Sequence, residues 1–172
     1  MDSTAQIFMD YSARKLRQLA GRIEECLRRL SEEQIWARGS ANENAVGNLV
    51  LHLEGNVRQW IISAVGVRAD TRRRDEEFAA RGGVTAAELG AALKNTVEEA
   101  VAVLGALPAQ RLMEQIRVQD YDGTVLEAVY HVVEHFSGHT GQIIFATKLM
   151  RGEDLGFYRH LSAGAPHTEQ TP

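Results

Sequence analysis

Four stretches of this chain repeat apolar residues at helical spacing, and the ends of several are marked by capping signals. Between Thr4 and Leu30, residues Ile7, Tyr11, Leu16, Leu19, Ile23, Leu27 and Leu30 fall on one broad stripe with Arg and Glu between them. A second stripe runs from Ala45 to Val67, with Ser40, Asn42 and Asn44 as candidate N-caps. Thr85-Ala-Ala-Glu88 is a capping box for a third helix, which must stop near Leu107 because Pro108 has no N–H to continue it. Thr124-Val-Leu-Glu127, after the turn signal Asp122-Gly123, opens a fourth that reaches Arg151 before Gly152. Ser31-Glu-Glu-Gln34 caps a short turn between the first two.

Four long amphipathic helices in 172 residues predict an all-α four-helix bundle, since each stripe has to be covered by its neighbours. The segment 68–83 is long enough, at about 50 Å extended, to carry the chain the whole length of a bundle, so helices two and three need not be antiparallel. The segment 111–121 has room for a short extended piece. One domain is expected over residues 1–161, with Leu155, Phe157 and Tyr158 packing back on it, and a polar, disordered tail over 162–172.

Composition excludes several classes. A net charge of -4 leaves no basic footprint for nucleic acid. One cysteine cannot make an intramolecular disulfide, and no charged-then-apolar leader opens the chain. The most apolar runs, 60–67 and 101–107, fall well short of the roughly 20 residues that span a bilayer. The expectation is a cytoplasmic protein without a membrane or nucleic-acid partner, acting on small molecules.

The fourth stripe carries three histidines, His131, His135 and His139, at steps of four. Each step advances about 6 Å and turns by about 40°, so the three share a face, but the outer two are about 12 Å apart along the axis and cannot meet at one ion. One neighbouring pair can, given a further ligand, and His52 stands among Leu49, Val50, Leu51 and Leu53 on helix two. An imidazole in such company is either hydrogen-bonded in the core or ligating. Asn48 and Asn56 flank His52 at four residues on either side, a polar stripe suited to orienting a substrate. Gly138 and Gly141 interrupt helix four at a cost of about 0.5–1 kcal/mol each relative to alanine, as if to make room, and Gln142 can orient the His139 ring or touch a substrate. The preferred ligand set is His52, His135 and His139, three neutral imidazoles around zinc or nickel with one position open.

LHLEGNVRQW (51–60) followed by HVVEHFSGHTGQI (131–143), together with NAVGNLVLHLEGN (44–56), RRRDEEF (72–78) and DLGFY (154–158), resembles the DinB/YfiT-like superfamily of metal-dependent enzymes, in a branch without an assigned reaction. The resemblance covers nearly the whole chain. It implies a bundle of up-down-down-up order and a metal held by His52, His135 and His139. It also implies a reaction class, because relatives include thiol S-transferases and a thiol-dependent maleylpyruvate isomerase in which the metal activates a low-molecular-weight thiol.

Other readings compete. His131-Val-Val-Glu134-His135 spells the inverted zinc-peptidase signature H-x-x-E-H, which makes a metallohydrolase the alternative enzyme, although Glu134 turns about 100° from His135. A non-catalytic, stress-associated metal-binding module is a third reading, and a homodimer is compatible with all three. His131 is expected only in a pocket wall, His160 and His167 receive no role, and Cys26 reads as a packed thiol. The run Arg72-Arg73-Arg74, balanced by Asp75, Glu76 and Glu77, reads as a solvated loop, or else as the rim that holds an anionic substrate.

Overall fold

The computed structural model describes residues 3–161, and each of the four stripes is helical. Helix α1, Thr4–Arg29, begins where the Ser3 hydroxyl accepts the Gln6 N–H. Its inward face is set by Met9, Ser12, Leu16, Leu19, Ile23 and Leu27. Ile7 and Tyr11, expected on that stripe, are 57% and 40% exposed. The bundle selects the narrower 3,4-spaced row that begins at Met9, and the first two turns carry their large residues on its outer edge.

A short helix, α2 (Glu32–Trp36), opens with the Ser31/Gln34 capping box and leads to α3, Val46–Val57. The expected side-chain caps Ser40, Asn42 and Asn44 are not the ones that start α3. The N-cap residue is Ala45, and its N–H is taken from inside the helix by Asn48 Oδ1 at 3.1 Å. The second stripe does not stay α-helical either. From Arg58 to Val65 it widens into a π-helix, whose five-residue bonding continues in Ile61 O accepting Gly66 N–H and Ser63 O accepting Arg68 N–H. The crossover that follows contains helix α4, Arg74–Ala79, and α5 and α6 run over Ala86–Gly105 and Val125–Arg151 from the two predicted threonine capping boxes. Gly152 ends α6 in the left-handed region at φ 66°.

A few bonds establish the helix order. Trp36 Nε1 donates to Val84 O at 3.1 Å, and Glu32 accepts Ala86 N–H, so α5 starts at the end of the bundle where α3 starts. Arg111 donates to Val65 O, and Val125 N–H to Glu114 O, so α6 starts where the second helix finishes. Gln34 and Arg29 reach Met150 O and Leu155 O, which puts the end of α6 beside the end of α1. The order is up-down-down-up, and the long crossover makes it possible by running back along α3.

Between α5 and α6 a 3₁₀ turn, Ala109–Met113, precedes an antiparallel hairpin of β1 (Gln115–Val118) and β2 (Tyr121–Thr124). The sequence suggested a short extended piece within 111–121 and a turn at Asp122-Gly123 just before the fourth helix. The turn is at Gln119-Asp120 instead, where both residues have positive φ (51° and 65°), and Asp122 and Gly123 pair within the ladder. Leu155 and Phe157 pack against the core beyond α6, whereas the expected tail 162–172, with His167, lies outside the described residues. Among the described residues no helix is long and apolar enough to cross a membrane.

Helix α6 packs on the row Val129, Val132, Phe136, Thr140 and Ile143 and leaves Phe145 outside at 65% exposure. Phe136→Ala should cost about 3–5 kcal/mol in chemical denaturation, and Phe145→Ala no more than about 0.5 kcal/mol. Equal losses would mean that the helix faces the other way.

Candidate metal centre

The row chosen by Phe136 brings His135 and His139 to the flank of α6 that meets α3, one helical turn apart. His52 reaches them across the bundle from the second turn of α3. Its Nε2 lies 3.1 Å from His135 Nε2, which in turn lies 3.1 Å from His139 Nε2. One ligand atom from each of the three falls within 4.8 Å of the others, and no Asp, Glu or Cys joins the group among the described residues. A tetrahedral zinc ion, with Zn–N bonds of about 2.0–2.1 Å, separates its ligand nitrogens by about 3.4 Å, so the three imidazoles could hold one divalent ion.

The far side of each ring decides which lone pairs face the centre. His139 Nδ1 is 2.7 Å from Gln142 Oε1, an acceptor, so this nitrogen carries the proton and Nε2 is left bare. His52 Nδ1 is 3.0 Å from Glu77 Oε2. Arg72 Nη2 also lies 3.0 Å from that nitrogen, but it donates at 2.9 Å to the same carboxylate oxygen. A cation on Nε2 forces the proton onto Nδ1, which then donates to Glu77 while Arg72 serves the carboxylate. His135 Nδ1 is buried and finds no protein partner. Without an ion, then, the central nitrogen faces two lone pairs with at most one proton to offer, and this donor set is suited to a cation.

Titration favours the same state. Burial, and then the charges of His139 and His52, push His135 down to about 3, so it is neutral at physiological pH. Burial lowers His139 too, partly opposed by the hydrogen bond to Gln142. Burial alone would raise the Glu77 carboxyl, but hydrogen bonds from Arg72 and His52 outweigh it and keep the group below its ordinary value.

Arg72 and Glu77 are the residues that sequence reasoning missed. Their side chains are only 2% and 10% exposed, so this part of the charged run is not the solvated loop it reads as. Arg73 does fit that reading, exposed and paired with Glu76. The space for Glu77 comes from Gly55, because a Cβ there would collide with the Glu77 carboxylate and press on Arg72. A glycine three residues after His52, on the same helix face, was the available signal. Gly138 and Gly141 drew notice instead, yet both are exposed and an added Cβ would meet nothing, so they open no space at the centre.

The proposed substrate-orienting residues divide. Asn48 is fully buried and spent on the scaffold: its amide nitrogen donates to Glu77 O and Ala80 O, and its oxygen accepts from Arg38 and Ala45. It stands behind the histidines rather than before a ligand. Asn56 is buried, its Oδ1 meets no protein donor, and it does not line the cavity described next. Gln142 is exposed and turns the His139 ring.

A cavity of about 400 Å³ opens beside the centre, between α6 and the hairpin. His52 and His135 border it, as do Trp60, Arg74, Tyr121 and His131. The His131 ring packs at a tilt on Trp60 with centroids 4.4 Å apart, in the wall as expected. Glu134 is exposed, so the H-x-x-E-H residues do not converge as the peptidase signature requires. Cys26 is buried, and burial pushes its thiol up, away from reactivity.

Comparison with other proteins came to the same fold. Residues 3–163 match the family described as a protein of unknown function, DUF1572. A conserved protein from Enterococcus faecalis aligns with a TM-score of 0.71 at 16% identity, over 84% of this chain and 97% of its own. A DinB-like protein, YjoA, from Bacillus subtilis aligns with a TM-score of 0.66 at 18% identity, over 86% and 97%. No curated protein matches the sequence. At these identities the likeness establishes the DinB-like bundle and nothing of chemistry.

Glu77→Gln should weaken zinc binding about 10- to 100-fold by isothermal titration, and Gly55→Ala, which leaves the carboxylate intact but displaces it, should act in the same direction. Unchanged zinc affinity in both variants would detach this ion pair from the centre.

Proposed function

The chain belongs to the DUF1572 family, and we propose that it binds one divalent metal ion, zinc or nickel, and uses it as a thiol S-transferase-type enzyme on a small molecule. The observation that carries this reading is the convergence of three imidazole Nε2 atoms, with no acidic or thiol side chain completing the set among the described residues, beside a cavity large enough for a ligand. A structural metal site closes its coordination with protein ligands; one that keeps a position for substrate does not.

Three neutral imidazoles leave a bound divalent ion its full charge, and that charge lowers the pKa of a thiol or water brought beside it. The chain's own residues do the rest. Glu77 and Gln142 hold the outer nitrogens of His52 and His139, so the rings cannot rotate out of place. His135, neutral down to about pH 3, keeps its lone pair available. Trp60, Ile116 and Val118 give the cavity an apolar wall for the body of a ligand. The resemblance to thiol-dependent enzymes favours a thiol over water as the activated group.

His52→Ala, His135→Ala and His139→Ala should each abolish stoichiometric zinc or nickel binding, measured by elemental analysis after dialysis, whereas His131→Ala should retain it. Loss with His131→Ala and retention with His139→Ala would move the site one turn and revive the hydrolase. With the cobalt-substituted protein, low-molecular-weight thiols should produce a sulfur-to-cobalt charge-transfer band. Its absence with every thiol, alongside turnover of esters or amides, would replace the transferase by a hydrolase; a coordination sphere with a fourth protein ligand would replace both by a non-catalytic module.

A further inference from the structure

The charges around the cavity are nearly all committed to one another. Arg72 is spent on Glu77 and Gln59. Asp122 accepts from Arg117, and Glu127 caps α6 through the Thr124 N–H and hydroxyl. Arg74 is different. Its side chain lines the cavity and is exposed, and among the described residues it forms no ion pair. Its guanidinium lies over the Phe78 ring, 4.8 Å from the centroid, and on the same ring His52 packs with centroids 4.8 Å apart. Arg74 and His52 thus both pack on one aromatic side chain, and both line the one cavity, which places an unpaired cation near the candidate metal centre.

Beside these charges and the polar Gln119, Thr124 and His131, the lining offers apolar and aromatic surface. Trp60 and Tyr121 contribute rings, and Ile116, Val118 and Ala128 contribute aliphatic surface. Tyr121 is presented by the hairpin and is largely exposed, so it can lie against a ligand without leaving a packed position. A guanidinium already steadied on an aromatic face loses little freedom when it binds an anion, and its planar fork matches a carboxylate at two points.

From these observations we infer that the cavity takes a small organic carboxylate with an aromatic body, its carboxylate held by Arg74, its ring between Trp60 and Tyr121, and its reacting end directed to His52 and His135. The last clause rests on the metal-dependent reading of the centre; the carboxylate subsite does not. A monocarboxylate suits the site better than a phosphate ester, because one unpaired guanidinium neutralises one charge, and a second negative charge would face the Asp122 and Glu127 carboxylates.

The test uses the full chain, first metal-free and then zinc-loaded, with 3-phenylpropionate, its amide and phenyl phosphate as probes. Binding is followed by isothermal titration and by the NMR resonance of the Trp60 indole N–H, which has no protein acceptor. The acid should bind the metal-free protein about tenfold more tightly than the amide and shift the Trp60 resonance. Arg74→Gln should reduce the acid to the level of the amide and leave the amide unchanged, while Arg73→Gln, at an exposed position outside the cavity, should alter neither. Equal affinity for acid and amide, undiminished acid binding in Arg74→Gln, or tighter binding of phenyl phosphate would overturn the proposal. So would failure of the acid to bind either form while the protein still takes up zinc. Arg74-dependent binding in a protein that takes up no zinc would uphold the carboxylate subsite and count against the metal reading alone.

Discussion

Everything around the three histidines depends on a buried ion pair pressed against α3. Arg72 and Glu77 lose most of their hydration to be there, and such a pair is a poor source of net stability, since the desolvation of two ions offsets much of their attraction. What it supplies is direction. The carboxylate meets His52 Nδ1, the guanidinium neutralises the carboxylate, and the ring is held with Nε2 toward α6. The crossover carrying the pair is itself tied down by Asn48 and Arg38, which bond the carbonyls of Glu77, Phe78 and Ala80. Gly55 lets the pair approach the helix backbone.

Helix order and site geometry are one problem. Because α3 and α5 run the same way, the chain must return along the outside of α3, and that return brings Glu77 to His52. The opposite connection, from α5 to α6, is made by the hairpin, which stands over the first turns of α6 and forms the other side of the cavity. The π-helical turn from Arg58 to Val65 lies between the two. Its wider winding changes the rotation of every residue beyond Val57, and Trp60 comes to rest against His131. Cavity, histidine cluster and free guanidinium thus come from two crossovers and one irregular helix, with the regular bundle as their frame.

The regular parts were legible because their causes are local. A capping box and a repeat of apolar residues each act within one or two turns, so the starts at Thr85 and Thr124 and the helices that follow them could be read directly. The four-residue step from His135 to His139 belongs to the same kind, since helix geometry alone puts them on one flank. Where a local signal had several outcomes the reading went astray: Ile7 and Tyr11 suit a wide stripe, but the neighbouring helices cover a narrower one. The turn at Gln119-Asp120 has no glycine or asparagine to announce it, and Asp122-Gly123 took the attention.

By itself the sequence determined that the chain would be four long helices, where they would start and stop, and that His135 and His139 would lie one turn apart. Those properties follow from backbone hydrogen bonding and side-chain periodicity within a single segment. Only the tertiary structure decided that Arg72 and Glu77 would be buried while Arg73 stayed in water and Arg74 kept its charge unpaired over Phe78. The four belong to one run of like composition, and their fates differ because burial of a charge depends on what faces it. What faces Arg72 and Glu77 is His52 and the gap at Gly55, brought there by a crossover whose path no local interaction dictates.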